Sequence, residues 1–180
     1  QVAFANPLFG TNATHAASLF LALGDEKAKK YLQDLKANEA VMVAGNAMVC
    51  DQVGAGELKV GLTDTDDVNG AIEDGKPVAA VYPDQGKDDI GTLVIPNTVA
   101  MIANCPHPKA AKKLIDYILS RKVEEKLANS RYVSMPVRSG ISTPRNVRSI
   151  GEIKSMNVNF ESIADQMDKT AKFTQELFIK

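Results

Sequence analysis

Long apolar runs, a surplus of charge of either sign, and the spacings that mark zinc or nucleophile chemistry are all missing from this sequence, and each absence removes a class of function. No apolar run approaches the roughly 20 residues that cross a bilayer. The first residues, Gln1-Val2-Ala3-Phe4-Ala5, lack a basic n-region, so the chain is expected to be neither membrane-embedded nor a precursor. Twenty-one basic residues stand against 22 acidic ones, a formal net charge of -1. With a pI near 6.2, no basic face is expected to bind nucleic acid by releasing counterions. The two histidines, His15 and His107, are far apart, and neither His-x-x-x-His nor Cys-x-x-Cys occurs, so a zinc site is not expected. There is no Gly-x-Ser-x-Gly elbow, and no spacing links Cys50 to His15 as nucleophile and base. Cysteine itself is scarce. Cys50 and Cys105 each sit in an apolar neighbourhood, where a small buried thiol is the commoner outcome than a bridge, and the cellular compartment is not read from them. Internal repeats and low-complexity tracts are absent too.

What remains is the composition of an ordinary globular protein of one domain or slightly more: 180 residues, 44% hydrophobic and 24% charged. Apolar periodicity alternates between strand and helix. Val2 to Ala5 reads as a strand, then a turn at 6–12 and a helix from about Ala13 to Leu23 with Ala16, Leu19, Phe20 and Leu23 on one face. Gly24 ends it, and Asp25 starts a second helix with Ala28, Tyr31, Leu32 and Leu35 inward and Lys27, Lys29, Lys30 and Lys36 solvated. A strand at 41–44, a helix at 46–53, a strand at 58–63, a helix at 66–74 and a strand from Val78 to Tyr82 follow. This βαβ alternation predicts an α/β fold: a doubly wound, mainly parallel sheet with helices on both faces and right-handed crossovers.

Beyond residue 84 the character changes. Thr92 to Met101 reads as a long apolar strand broken by Pro96, which cannot lie inside a regular central strand, so a bend or hinge is expected there. Pro108 opens a helix to about Ser120 with Ala111, Leu114, Ile115 and Ile118 inward, and a short helix runs from about Lys122 to Ala128. The final helix, about Phe160 to Phe178, carries Phe160, Ile163, Met167, Ala171, Phe173 and Leu177 as its buried stripe.

The densest chemistry lies in Thr63-Asp64-Thr65-Asp66-Asp67, three carboxylates and two hydroxyls directly after an apolar strand. Open α/β sheets gather their ligands at such carboxyl ends. Asp66 and Asp67 also open a helix, where acidic residues favour the positive end, so capping and ligation are both open readings. As adjacent residues on a helix they point about 100° apart, poor geometry for an acid/base dyad. Gly10-Thr11-Asn12 before the first helix suits an anion, because free backbone N–H groups and the dipole both favour negative charge. Thr11 or Asn12 serves equally as an N-cap, and Asn46 either caps its helix or points into the cleft. Tyr82 and Tyr132 read as packing residues.

The ordered set Val2-Ala3-Phe4-Ala5-Asn6-Pro7, Gly10-Thr11, Gly45-Asn46-Ala47, Gly56-Glu57, Gly61-Leu62-Thr63, Thr92 to Ala100 and Pro106 to Ile115 resembles the later part of a periplasmic solute-binding protein of an ABC importer. It is most similar to the ferric-iron-binding branch of the type 2 fold. What the resemblance implies is a two-lobed clamp, each lobe a doubly wound α/β unit with the solute between. Residues 1–94 and 141–180 would form lobe 2, and residues 95–140 would return to lobe 1, the rest of which this chain lacks. Implied site residues are Gly10, Thr11, Asn12, Asn46, Thr63, Asp64 and Thr65 for the ligand or its anion, and Asp66 and Asp67 for a metal or other cation. Ferric-binding relatives carry two adjacent tyrosines where this chain has Asp66-Asp67. Carboxylates suit a hard cation such as ferric iron, calcium or magnesium, and equally an ammonium head.

The expectation is therefore a non-enzymatic binding component without a cofactor, whose solute is a metal ion, Fe3+ or a divalent cation, or another small molecule. The implied partner is a membrane permease and the location periplasmic or extracellular, free or lipoprotein-tethered. Self-association of a chain missing half its clamp is a further expectation. The alternative is a small metal-assisted α/β phosphohydrolase using Asp64, Asp66 and Asp67.

Overall fold

A computed structural model describes residues 1–144 and 147–179. Three short parallel strands organise it: β1 (Val2–Ala5) lies between β2 (Val41–Val43) and β3 (Val60–Leu62). Ala3 faces both Val41 and Gly61 in register. Three successive βα units build this sheet. Helix α1 (Gly10–Leu23) follows β1, and α2 (Asp25–Ala37) leads back to β2; α3 (Asn46–Gly54) connects β2 to β3, and α4 (Thr65–Glu73) follows β3.

Alternation along β1 divides the interior into two layers. Ala3 and Ala5 join Val43, Val49 and Leu58 beneath α3. On the other face Phe4 meets Phe178 at 5.1 Å between ring centroids. There α1, α2 and the long α7 (Phe160–Phe178) bury Leu19, Phe20, Ala28, Leu32 and Met156. Phe20 and Phe173 pack edge to face at 6.0 Å, and α7 starts cleanly because the Asn159 carboxamide oxygen accepts from the N–H groups of Glu161 and Ser162. The sheet thus has helices on both faces, as the alternation predicts.

Several expectations need correction. Val78 to Tyr82 is not a strand. Pro77 and Pro83 bracket it, Val78 N–H turns back to the Lys76 carbonyl, Val81 is exposed, and Tyr82 lies against the flank of α4. Thr92 to Met101 is not a strand either: Thr92 makes an isolated parallel bridge to Ser155, donating to Lys154 O and accepting from Met156 N–H, both at 2.8 Å, after which 96–102 runs exposed. Helix α5 (Pro108–Ile118) is amphipathic as expected but buries none of its residues, Leu114 being 57% exposed. Its neighbour α6 (Arg121–Ala128) packs on it, and Ala111 and Ile115 are partly covered, while Leu114, Tyr117 and Ile118 stay exposed. Tyr31 on α2 is 37% exposed, its side chain facing the gap between α1 and α2 without being fully buried. Cys50 is buried and Cys105 half-buried, both free thiols. Among the described residues no helix is long and apolar enough to cross a membrane.

Candidate functional site

Parallel strands in register place their following loops side by side, and here three such loops converge. Thr11 stands in the first turn of α1 after β1, Asn46 opens α3 after β2, and Asp64 follows β3. Their side chains form one closed network. Thr11 Oγ1 donates to Asp64 Oδ2 at 2.9 Å, and Asn46 Nδ2 reaches the same oxygen at 2.6 Å and Thr11 Oγ1 at 2.8 Å. Asn12 Nδ2 completes it by donating to Asn46 Oδ1 at 2.6 Å. Thr63 Oγ1 donates to Asn46 O at 3.0 Å, and a longer contact of 3.4 Å links it to Asp67 Oδ2. Gly10 sits at φ +56, a left-handed turn that lets the chain swing from the strand end into α1.

The side chains do not cap their helices. Phe9 and Gly45 are the N-cap residues of α1 and α3, so Thr11, Asn12 and Asn46 turn toward one another instead. Asp64 is the N-cap residue of α4, but its carboxylate faces Thr11 and Asn46 rather than the α4 amides. Thr65 begins α4, with Asp66 and Asp67 in its first turn.

One carboxylate oxygen from each of Asp64, Asp66 and Asp67 lies within 4.8 Å of the others, all three half-buried. That spacing would let them share one cation. Concentrated charge is also costly here. Burial pushes the Asp64 carboxyl above its usual range, opposed by its hydrogen bonds from Thr11 and Asn46 and reinforced by Asp66. Burial likewise raises Asp67, with Asp66 and Asp64 adding repulsion. Behind this cluster His15, Asn12, Tyr31 and Leu62 line a narrow cavity between α1, α2 and the strand ends. Burial holds His15 below the ordinary imidazole range, against the pull of Asp84 and Asp64.

The structure therefore brings Thr11, Asn12, Asn46, Thr63, Asp64, Asp66 and Asp67 to one place at the carboxyl ends of the strands, with Gly10 and Thr65 at its edges. Sequence reasoning missed the partnership of Thr11 and Asn46 with Asp64, residues 53 and 18 positions apart. Cys50 is the buried free thiol expected, its Sγ lying 3.4 Å from Asp67 O. The spacing of strand-end polar residues signals the gathering, but only the register reveals the pairings.

Comparison with known proteins identifies the family and the fold. A family model described as bacterial extracellular solute-binding protein matches residues 3–153. "Iron uptake protein A1" of Synechocystis sp. is 25% identical over 174 residues, 92% of this chain and 48% of that protein. A "putative 2-aminoethylphosphonate-binding periplasmic protein" of Salmonella typhimurium is 25% identical over 140 residues, 74% of this chain and 41% of the relative. The chain spans about half the length, or less, of these curated relatives. Among solved structures, the ferric binding protein from Campylobacter jejuni superposes with a TM-score of 0.85 at 22% identity, covering 100% of this chain and 59% of that one. Iron-bound HitA from Pseudomonas aeruginosa gives 0.81 at 20% identity, covering 99% and 57%. At such identities the superpositions establish the fold.

Proposed function

Since the chain belongs to the bacterial extracellular solute-binding protein family, we propose that it works as the solute-capturing component of an ABC importer in the periplasm, handing a small cationic solute to a membrane permease. Residues 1–94 and 141–180 act as lobe 2 of a two-lobed clamp, and residues 95–140 belong to lobe 1. The bare apolar face of α5 supports that assignment, because a helix so strongly sided is built to be covered. The family is one of binding proteins, which leaves the phosphohydrolase alternative without support.

The observation that carries the choice of solute is the meeting of Asp64, Asp66 and Asp67 within 4.8 Å. An anion placed against three carboxylates is repelled, and the Thr11 and Asn46 donors that would have held it already serve Asp64. A hard metal ion, ferric iron or a divalent cation, is the solute that best relieves this concentration of charge. The first-turn amides of α1 at Gly10, Thr11 and Asn12 lie ahead of the first helical bond, Ala13 N–H to Phe9 O, and supply a place for an accompanying anion. A zwitterion with an ammonium group and an anionic group meets the same demands. The Salmonella relative, named for 2-aminoethylphosphonate, keeps that second reading in play.

Thermal-shift and calorimetric titrations with ferric citrate, calcium chloride and 2-aminoethylphosphonate test this. A ligand at 100 times its Kd should stabilise the protein by about 2.7 kcal/mol. Asp66→Asn combined with Asp67→Asn should abolish the response to cations, whereas Thr11→Ala, which removes a hydrogen bond to Asp64 but keeps the α1 amides, should weaken the response to cations and leave that to anions near the parent's. If the double variant answers metals as the parent does, the two carboxylates only favour the start of α4 and the cation reading is wrong.

A further inference from the structure

Helix α4 has the three carboxylates at one end and a clamp at the other. Arg131 pairs with the C-cap residue Asp74 through both guanidinium nitrogens, Nη1 reaching Oδ1 at 2.7 Å. The buried Asn69 side chain donates to Arg131 O at 2.6 Å, so the backbone of this segment is held as well as its side chain. Tyr132 lies against Gly70, where an added Cβ would sit 3.1 Å from the ring, and the Arg131 guanidinium stacks over that ring at 5.4 Å from its centroid. Next along the chain, Val133 is buried. Side chain, backbone and ring thus all grip one short helix from the segment that follows α6. A nine-residue helix is about 13 Å long and transmits displacement along its axis rather than absorbing it.

We infer that α4 is a coupling element, and that Arg131 is a positioning residue through which the segment 129–133 sets the placing of the Asp64, Asp66 and Asp67 carboxylates. The inference rests on the cation-site reading for its consequence in binding, while its structural half stands apart from any ligand. Where a solute draws the carboxylates together, α4 shifts, and the segment after α6 shifts with it. Conversely, loosening the clamp relaxes the acidic end and weakens the grip on the solute. Removing a half-exposed ion pair from such a packed chain should alter affinity by about two- to fivefold.

The test compares the parent with Arg131→Gln, which keeps the Asn69 bond to the backbone but deletes the ion pair, and with Asp74→Asn, which deletes the pair from the other side. Backbone hydrogen exchange is read without ligand and then with calcium chloride or ferric citrate. Expected are exchange about two- to fivefold faster at Val68, whose N–H makes the first bond of α4, to Asp64 O, in both variants, cation affinity lowered to a similar degree, and recovery of both in the charge-swapped Asp74→Arg, Arg131→Asp protein. Faster exchange confined to 69–74 and 129–133, or equal Kd in parent and variants, overturns the inference. Absence of cation binding in the parent overturns the cation reading instead, and exchange at Val68 then decides the coupling by itself.

Discussion

Asp67 occupies a place that disfavours its own charge. Burial and the neighbouring Asp66 and Asp64 raise its pKa in the folded protein, and Asp64 is raised in the same direction, so folding favours the protonated acids. Groups shifted this way contribute stability that is complete below their ordinary value of 3.8 and is lost as pH rises through the elevated folded value. At neutral pH the unliganded site is therefore a net burden on the fold. Asp67→Asn should raise Tm at pH 7 by a small amount, on the order of 1–2 °C once solvent screening of a half-exposed group is allowed for. The difference from the parent should shrink toward pH 4. Tm measured against pH for both proteins checks this, and a lower Tm for the variant at pH 7 would contradict it. A saturating cation should reverse the ranking, since only the parent then gains from binding.

At the scale of elements, two contacts set how far the sheet and its helices tolerate change. Gly61 in β3 lies under α3 so closely that a Cβ there would run into Val49 Cγ1 and crowd Val53. Gly61→Ala should destabilise by about 1–3 kcal/mol through overpacking, seen as a lower urea midpoint with little change in slope. Asn159→Ala removes the acceptor that fixes the start of α7 and should cost about 1 kcal/mol. The elements themselves were largely legible: β1 to β3 and α1 to α4 fall where the apolar periods place them, to within a few residues. Legibility failed where pattern alone does not name a partner. Val78 to Tyr82 has strand composition, yet its flanking prolines and turn bond leave it beside α4. Leu114 and Ile118 share an apolar stripe, and a stripe says which side wants covering, not what covers it. The site followed the same division. Gly10 to Asn12, Asn46 and Thr63 to Asp67 were readable as strand-end residues, whereas the Asp64 network and the clamp of Asn69 by residue 131 join positions too distant in sequence for spacing to reveal.

At the scale of the whole molecule, the exposed apolar residues of α5, Leu114, Tyr117 and Ile118, form a surface suited to association. Leu114→Glu with Ile118→Glu should leave the folding stability of this chain within about 0.5 kcal/mol of the parent, because neither side chain is buried. Any self-association of the chain should weaken at the same time, measured by sedimentation across a concentration series; an unchanged mass distribution would place the association elsewhere. The bridge between Thr92 and Ser155 carries a different implication. The polypeptide departs at residue 92 and comes home at residue 155 beside it, the two posts already hydrogen-bonded to one another. The α5–α6 pair carried between them is, in the language of genes, a cassette: a stretch that recombination could exchange or enlarge while the posts, the sheet, the α1–α7 layer and the grip of residues 129–133 on α4 keep their own connections.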